Sequence, residues 1–404
     1  MEIYIHIPFC VRKCGYCDFL SFPCGEEMRG RYCRSLIEEI KRTAEAIGSQ
    51  TADAKRTAEA LRKSETNCPG TGQAVETVFF GGGTPSLLAP DQITAVMTCI
   101  RSEFSLNEDA EISLEANPGT MDEARLYSWR ENGINRLSIG LQSTRDDLLK
   151  TLGRIHSFQD FSRNYQLARR AGFDNINIDI MSALPGQTLS DYCDTLKVVT
   201  DFCPEHISSY SLIIEEGTPL SRDKRLLDLL PDEETDRKMY EKTKEVLGKK
   251  GYGRYEISNY ALAGKECRHN RGYWEGVPYL GFGLGAFSYF GHARFSNGTD
   301  IHRYLERPYL PFRERADYEE QTREQEMEDR MIFGLRMMKG VSRTKFAEEF
   351  GLDLETLYGR QIRKFQEMGL LEISGDRIRL TDAGIDVSNR VFEEFLLEAS
   401  GQTW

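Results

Sequence analysis

The sequence predicts an α/β fold: a parallel sheet, closed or partly closed and covered by helices, with a smaller helical domain towards the C-terminus. Three observations predict it. Short apolar runs alternate with amphipathic stretches through the first half of the chain, the pattern of six strand–helix units in series. Chemistry-bearing words follow the ends of those apolar runs, where a parallel barrel presents its ligand site. From about Pro308 the composition turns to Glu- and Arg-rich helical sequence and then a short hairpin.

Taken in order, residues 3–7 alternate as a half-buried strand does, and Pro8 ends the run. Further strand-like runs fall at 77–80, 111–115, 136–141, 175–180 and 206–213. Helical periodicity fills the intervals at 31–46, 91–103, 122–132, 158–171 and 189–202. Gly133 and Gly172 stand where helices would end. Residues 48–73, rich in Thr, Ala, Ser and Lys, interrupt the rhythm and read as a surface insertion, partly helical at 52–63. Residues 231–248 read as a charged helical connector. Helical stretches at 314–339, 343–350 and 354–368 precede a hairpin at 371–380, an order that is winged-helix-like. These shifts divide the chain into a barrel core (1–225), a barrel extension (226–306) and a C-terminal domain (307–404). No repeat of 20–50 residues is present.

Composition bounds the function. With 404 residues, 40% of them hydrophobic, the chain has material for a substantial core. A net charge of −12 argues against a protein that coats duplex nucleic acid. The N-terminus lacks the basic-then-apolar pattern of a signal peptide, and no run approaches the ~20 apolar residues of a membrane span. Peripheral membrane contact stays open. Ten cysteines without an export signal indicate a reducing, cytoplasmic setting, where thiols bind metal or stay free.

The most informative stretch follows the first strand: Cys10, Cys14 and Cys17, spaced C-x3-C-x2-C. A loop leaving a strand can wrap three thiolates round a 4Fe–4S cluster, leaving one iron without a protein ligand. Zinc is the rival metal, but a structural zinc site takes four ligands. Cys24 and Cys33 are placed too irregularly to complete one, and His6 lies within the strand. Further strand-end words follow. Gly81-Gly82-Gly83-Thr84-Pro85 lets backbone approach a ligand closely, and without the lysine of a phosphate-binding loop it reads otherwise as a turn. Glu115, in Glu115-Ala116-Asn117-Pro118, is either a ligand-binding carboxylate or a helix cap. Gln142 and Ser143 end the fourth run. Asp179 sits among isoleucines in the fifth, where a charge needs a partner or ligand, and Arg154 is a candidate partner. His156 reads as a satisfied surface histidine or a functional one.

The cysteine spacing, with Tyr16 just before the third cysteine, resembles the radical S-adenosylmethionine (SAM) enzymes. The surrounding words resemble the family of oxygen-independent coproporphyrinogen III oxidases and HemW-type haem chaperones. This resemblance implies a partial (β/α)6 barrel and a 4Fe–4S cluster whose open iron chelates S-adenosyl-L-methionine. It also implies that Tyr4, Tyr16, Gly82, Gly83, Thr84, Glu115, Gln142, Arg154, Asp179 and Ile213 surround that cofactor. The oxidase branch carries a fourth cysteine two positions after the third; here Phe19 stands there, which points to the HemW branch.

A second word, Cys267-Arg268-His269-Asn270-Arg271-Gly272-Tyr273-Trp274, reads alone as an aromatic packing cluster, but neutral imidazole also ligates haem iron. It matches the H-N-x-x-Y-W motif of HemW-type proteins. By that resemblance His269, Tyr273 and Trp274 contact haem, with the Cys267 thiolate as the alternative iron ligand. One departure stands out: Phe287 occupies the place of a family histidine.

The first expectation is thus a haem chaperone that binds cluster, SAM and haem. It would deliver haem to apo-proteins, draw on an electron donor and lack coproporphyrinogen oxidase activity. Oxidative decarboxylation of coproporphyrinogen III is the alternative. A nucleic-acid module in the tail ranks third, because the tail mixes acids with its bases.

Overall fold

Six parallel strands carry the chain's chemistry: β1 (Glu2–Ile7), β2 (Val75–Gly82), β3 (Leu106–Ala116), β4 (Arg136–Gln142), β5 (Ile176–Ser182) and β6 (His206–Ser211). They pair in sequence order, Ile3 beside Val78, Phe79 beside Ser113, Leu114 beside Leu137, Ile139 beside Ile178 and Ile178 beside Ile207. β4 alternates apolar Leu137, Ile139 and Leu141 with Arg136, Ser138, Gly140 and Gln142, and all seven of its residues are buried. The structure is a computed structural model that describes residues 1–61 and 74–397, with the side chains of 49–61 left aside.

The chain divides into two compact units, Met1–Gly251 with Pro278–Glu319, and Tyr252–Val277 with the chain from Glu320 onward. In the first unit the free edge of β1 takes a further parallel strand, Tyr279–Phe282, and Phe287–Phe290 and Ala293–Ser296 add antiparallel to it. The six-stranded run is therefore open, as a partial barrel requires; no pairing returns β6 to β1 among the described residues.

Three of the covering helices begin at side chains that bond their orphan N–H groups. Asp122 caps Glu123–Glu131, and Ser157 with Asp160 and Thr188 with Asp191 form reciprocal boxes before Phe158–Arg170 and Leu189–Asp201. Each cap contributes about 1 kcal/mol. Two helices differ from expectation. The one expected at 31–46 is a single helix, Glu26–Leu61, which takes in the start of the expected insertion; residues 62–73 lie outside the described part. The expected connector is Glu233–Lys249, which buries Met239, Thr243 and Leu247 and packs along Leu189–Asp201. It is thus a sixth covering helix. Glu39 ties the first helix to the returning chain: it is fully buried, accepts from Gly283 N–H at 2.9 Å and from Tyr304 at 2.7 Å, and faces Arg315 at 3.6 Å. Those partners offset the cost of burying a carboxylate.

In the second unit, helices Arg323–Arg336, Arg343–Phe350 and Leu354–Glu367 accompany a small antiparallel sheet in which Arg377–Leu380 lies between Val341–Ser342 and Leu371–Ser374. This is the helix–helix–hairpin order expected. Among the described residues no helix is long and apolar enough to cross a membrane.

Candidate cofactor site at the strand ends

The cysteine loop is held in place from several sides. Cys10 N–H donates to Phe22 O at 3.1 Å, Gly15 N–H to Leu152 O at 3.1 Å, and Leu220 N–H to Gly15 O at 2.8 Å. Arg12 donates to Gly153 O at 2.7 Å. Cys10, Cys14 and Cys17 are half-buried free thiols, and the neighbouring Cys14 and Cys10 add to burial in pushing the Cys17 thiol above its ordinary range. Among the described residues no three His, Cys, Asp or Glu side chains are gathered as they would be around a metal ion. His6 is occupied elsewhere: Nε2 meets Leu20 O at 3.0 Å and Nδ1 meets the Tyr4 hydroxyl at 3.1 Å. With Nε2–H donating to that carbonyl, Nδ1 is the acceptor for Tyr4.

The glycines of β2 are dictated by β1. Gly82 has φ +107°, and a Cβ there would lie 2.6 Å from the His6 ring. A Cβ on Gly83 would lie 2.7 Å from Phe9 O. Only glycine lets the strand end come so close to the cysteine loop.

Glu115 accepts from Gly82 N–H at 3.1 Å. Burial first, then the charge of Asp179, push its carboxyl up to about 8. Asp179 is also raised by burial, while hydrogen bonds from Asn177 (2.7 Å) and Ser138 (3.2 Å) work against that rise. Two carboxyls facing one another resist joint ionisation. The sign follows from linkage: a folded-state value above the unfolded one favours the fold fully below the ordinary carboxylate range, and that contribution is lost as pH rises through about 8. The melting temperature of the metal-free protein therefore falls more between pH 6 and pH 9 than that of Glu115→Gln. Parallel slopes by calorimetry would show that Glu115 ionises without cost.

Arg154 is not the partner of Asp179. Its Nη2 donates to Asn117 Oδ1 at 2.5 Å and to Gly140 O at 2.7 Å, and its Nη1 reaches Cys14 Sγ at 3.7 Å. Its Nε–H is buried with no protein partner. A buried guanidinium donor left open beside the cysteine loop fits a ligand carboxylate. Gln142 is held at φ +69° by a register shift between Gly140 and Gln142 in β4, and it accepts from Tyr210 at 3.3 Å. Bulges re-aim side chains in this way beside sites. Tyr16 packs against the Leu148–Leu152–Leu220 cluster, whereas Ile213 is exposed. His156, read as either a surface or a functional histidine, is buried: Nε2 meets Leu141 O at 3.3 Å, and burial, then Arg154, lower its imidazole to about 4. Asn117 and Gly140, which carried no assigned role in the sequence, stand at the centre of this group.

The radical SAM superfamily matches residues 4–199, and the HemN C-terminal domain matches residues 321–387. The heme chaperone HemW of Lactococcus lactis subsp. lactis is 35% identical over 98% of this chain and 97% of its own length. That of Bacillus subtilis is 35% identical (98% and 99%), and that of Escherichia coli 32% (98% and 98%). The chain belongs to the HemW family. The solved coproporphyrinogen III oxidase HemN of Escherichia coli matches with TM-score 0.80 over 98% of this chain and 90% of that one; at 21% identity it shares the fold. Membership of the HemW family, within the radical SAM superfamily, implies a 4Fe–4S cluster and SAM, and the thiol loop and the open Arg154 Nε–H fit both.

The HemW motif lies in the second unit, on helix Arg268–Glu275. His269 and Cys267 are fully buried, and His269 Nε2 is bonded to the Tyr273 hydroxyl at 2.9 Å. Trp274 is covered on one face by Arg336, whose Cζ lies 4.3 Å from the ring centre. It also lines a cavity of about 260 Å³ with Arg330, Lys339, Lys345, Arg377, Met337 and Phe346 among its walls.

Proposed function

We propose that this protein is a haem chaperone that binds haem and hands it to apo-proteins in the cytoplasm. Its first unit would carry a 4Fe–4S cluster on Cys10, Cys14 and Cys17, with SAM beside it. The observation that carries the reading is identity of 30–35% to curated heme chaperones along almost the whole chain, together with Phe19 at the position of the oxidase branch's fourth cysteine. When bound, the cluster supplies an open iron and an electron, which an external donor must provide.

The residues present divide the work of holding SAM. Arg154 Nε offers a donor to a carboxylate, and Glu115 and Asp179 offer acceptors for hydroxyl or ammonium groups. Gly82, Gly83 and Thr84 bring backbone close, while Tyr4, Tyr16, Gln142 and Ile213 frame the space around them. Haem would meet the second unit at Trp274. The cavity beside it carries four cations against Glu275 and Glu349, a balance that suits propionate carboxylates, and Met337, Val341 and Phe346 supply apolar wall. His269 reaches haem iron only by giving up its bond to Tyr273, and Cys267 only by leaving the interior.

Haem titration of the reconstituted protein is expected to give a saturable Soret band, and the loaded protein to transfer haem to an apo-haem acceptor. His269→Ala should shift or abolish the band, because neither alanine nor the freed Tyr273 replaces a neutral imidazole. Absence of saturable binding, or a complex that gives up no haem to the acceptor, would overturn the reading.

A further inference from the structure

Asn117 joins two cluster thiols into one hydrogen-bonded arc whose direction is fixed by chemistry. A guanidinium only donates, so the group that Arg154 meets at 2.5 Å has to be the Asn117 carbonyl oxygen. The amide nitrogen is thereby turned to Thr84, and it donates to Thr84 Oγ1 at 2.8 Å. Thr84 Oγ1 accepts there and donates its single hydroxyl proton to Cys10 Sγ, 3.4 Å away. Arg154 closes the arc on the other side by donating to Cys14 Sγ at 3.7 Å.

Asn117 is itself clamped. Its N–H meets Ser86 Oγ at 3.3 Å, and its carbonyl accepts from Thr120 Oγ1 at 2.6 Å. A Cβ on Gly140 would meet Arg154 Nη2 at 3.1 Å and Asn117 Oδ1 at 3.2 Å, so the arc has no slack there. Thr84 is buried, and no surface requirement explains the arrangement.

We infer that Asn117 is a positioning residue for the cluster: by orienting the Thr84 hydroxyl onto Cys10 and holding Arg154 against Cys14, it raises the cluster's reduction potential. Donors to ligand sulfurs stabilise the more negative, reduced state, so aiming them is a lever on the potential. The inference rests on the reading that these cysteines hold a 4Fe–4S cluster.

Asn117→Asp is the informative change. A carboxylate still accepts from Arg154, but it accepts from Thr84 as well, and so takes the hydroxyl proton from Cys10. The measurement is a potentiometric titration of the reconstituted cluster followed by electron paramagnetic resonance, without SAM. At a fixed potential the ratio of reduced to oxidised cluster should fall roughly tenfold, about 59 mV for a one-electron couple. Thr84→Val should give a similar fall, and Thr84→Ser, which keeps the hydroxyl, should restore the parent value. In the Thr84→Val background Asn117→Asp should have little further effect. An equal shift in that background would mean that the new charge acts directly, and an unmoved potential in Asn117→Asp or in Thr84→Val would overturn the inference. If Asn117→Asp assembles no cluster, the Thr84→Val and Thr84→Ser pair decides alone. Failure of the parent protein to assemble a cluster would instead overturn the underlying reading.

Discussion

Cys14→Ala should abolish the brown 4Fe–4S chromophore after anaerobic reconstitution, and Cys10→Ala and Cys17→Ala should do the same. A cluster with one iron already open has no protein ligand to spare. The loss should be one of coordination rather than folding, because the loop is held by groups other than its thiols. Gly15 is bonded to Leu152 and Leu220, Cys10 N–H to Phe22, and Arg12 to Gly153. Far-ultraviolet circular dichroism and the melting temperature of the metal-free variants should therefore match those of the metal-free parent. Cys24 and Cys33 provide the controls. Cys33 is buried within the first helix, and Cys24 stands outside the C-x3-C-x2-C loop. Replacing either, or Cys68, should leave iron content and visible absorbance unchanged. A cluster that survives loss of Cys14, or a parent protein that takes up only zinc, would sink the assignment.

What the sequence made legible was whatever repeats with a short period. The alternation of Leu137, Ile139 and Leu141 announces a strand, and the six strands lie where such patterns placed them to within a few residues at most edges. β3 is the exception: it extends back to Leu106 through polar residues, and only pairing with its neighbours gives that stretch its form. The stretch 314–339 reads as helical, but Ala316–Glu320 is a strand and the helix begins at Arg323, since charged, exposed residues carry no alternation for a core to select.

The cysteine loop was legible because three thiols at fixed spacing have few bland uses. The residues that join it to the barrel were not, because their roles exist only in three dimensions. Asn117 carried no reading of its own; its bonds to Thr84 and Arg154 bring together residues 33 and 37 positions apart in the chain. Arg154 stood as a candidate partner of Asp179 or as a contact for the SAM carboxylate. In the fold Asp179 is served by Asn177 and Ser138 from inside the sheet, which frees Arg154 for the cysteine loop. His156 was legible only as a surface or a functional histidine, and the chain folds it against Leu141.

Under anaerobic, reducing conditions with SAM, the reconstituted protein should form no protoporphyrinogen from coproporphyrinogen III. Phe19 stands where the oxidase branch carries a cysteine. It is 69% exposed, and its ring offers neither a thiolate nor a hydrogen-bond donor to a substrate propionate. Phe287 stands where the family usually carries a histidine and is 58% exposed, so no proton donor or metal ligand occupies that place. Two groups suited to charge handling are thus both replaced by exposed rings, while the residues proposed to hold cluster and SAM are kept. Porphyrin products, separated by chromatography after oxidation, should stay at the level of a control lacking protein. Phe19→Cys should not create the activity by itself, since one thiol beside an unaltered Phe287 does not build a site for two propionates. Steady turnover by the parent protein would overturn this and favour the oxidase reading.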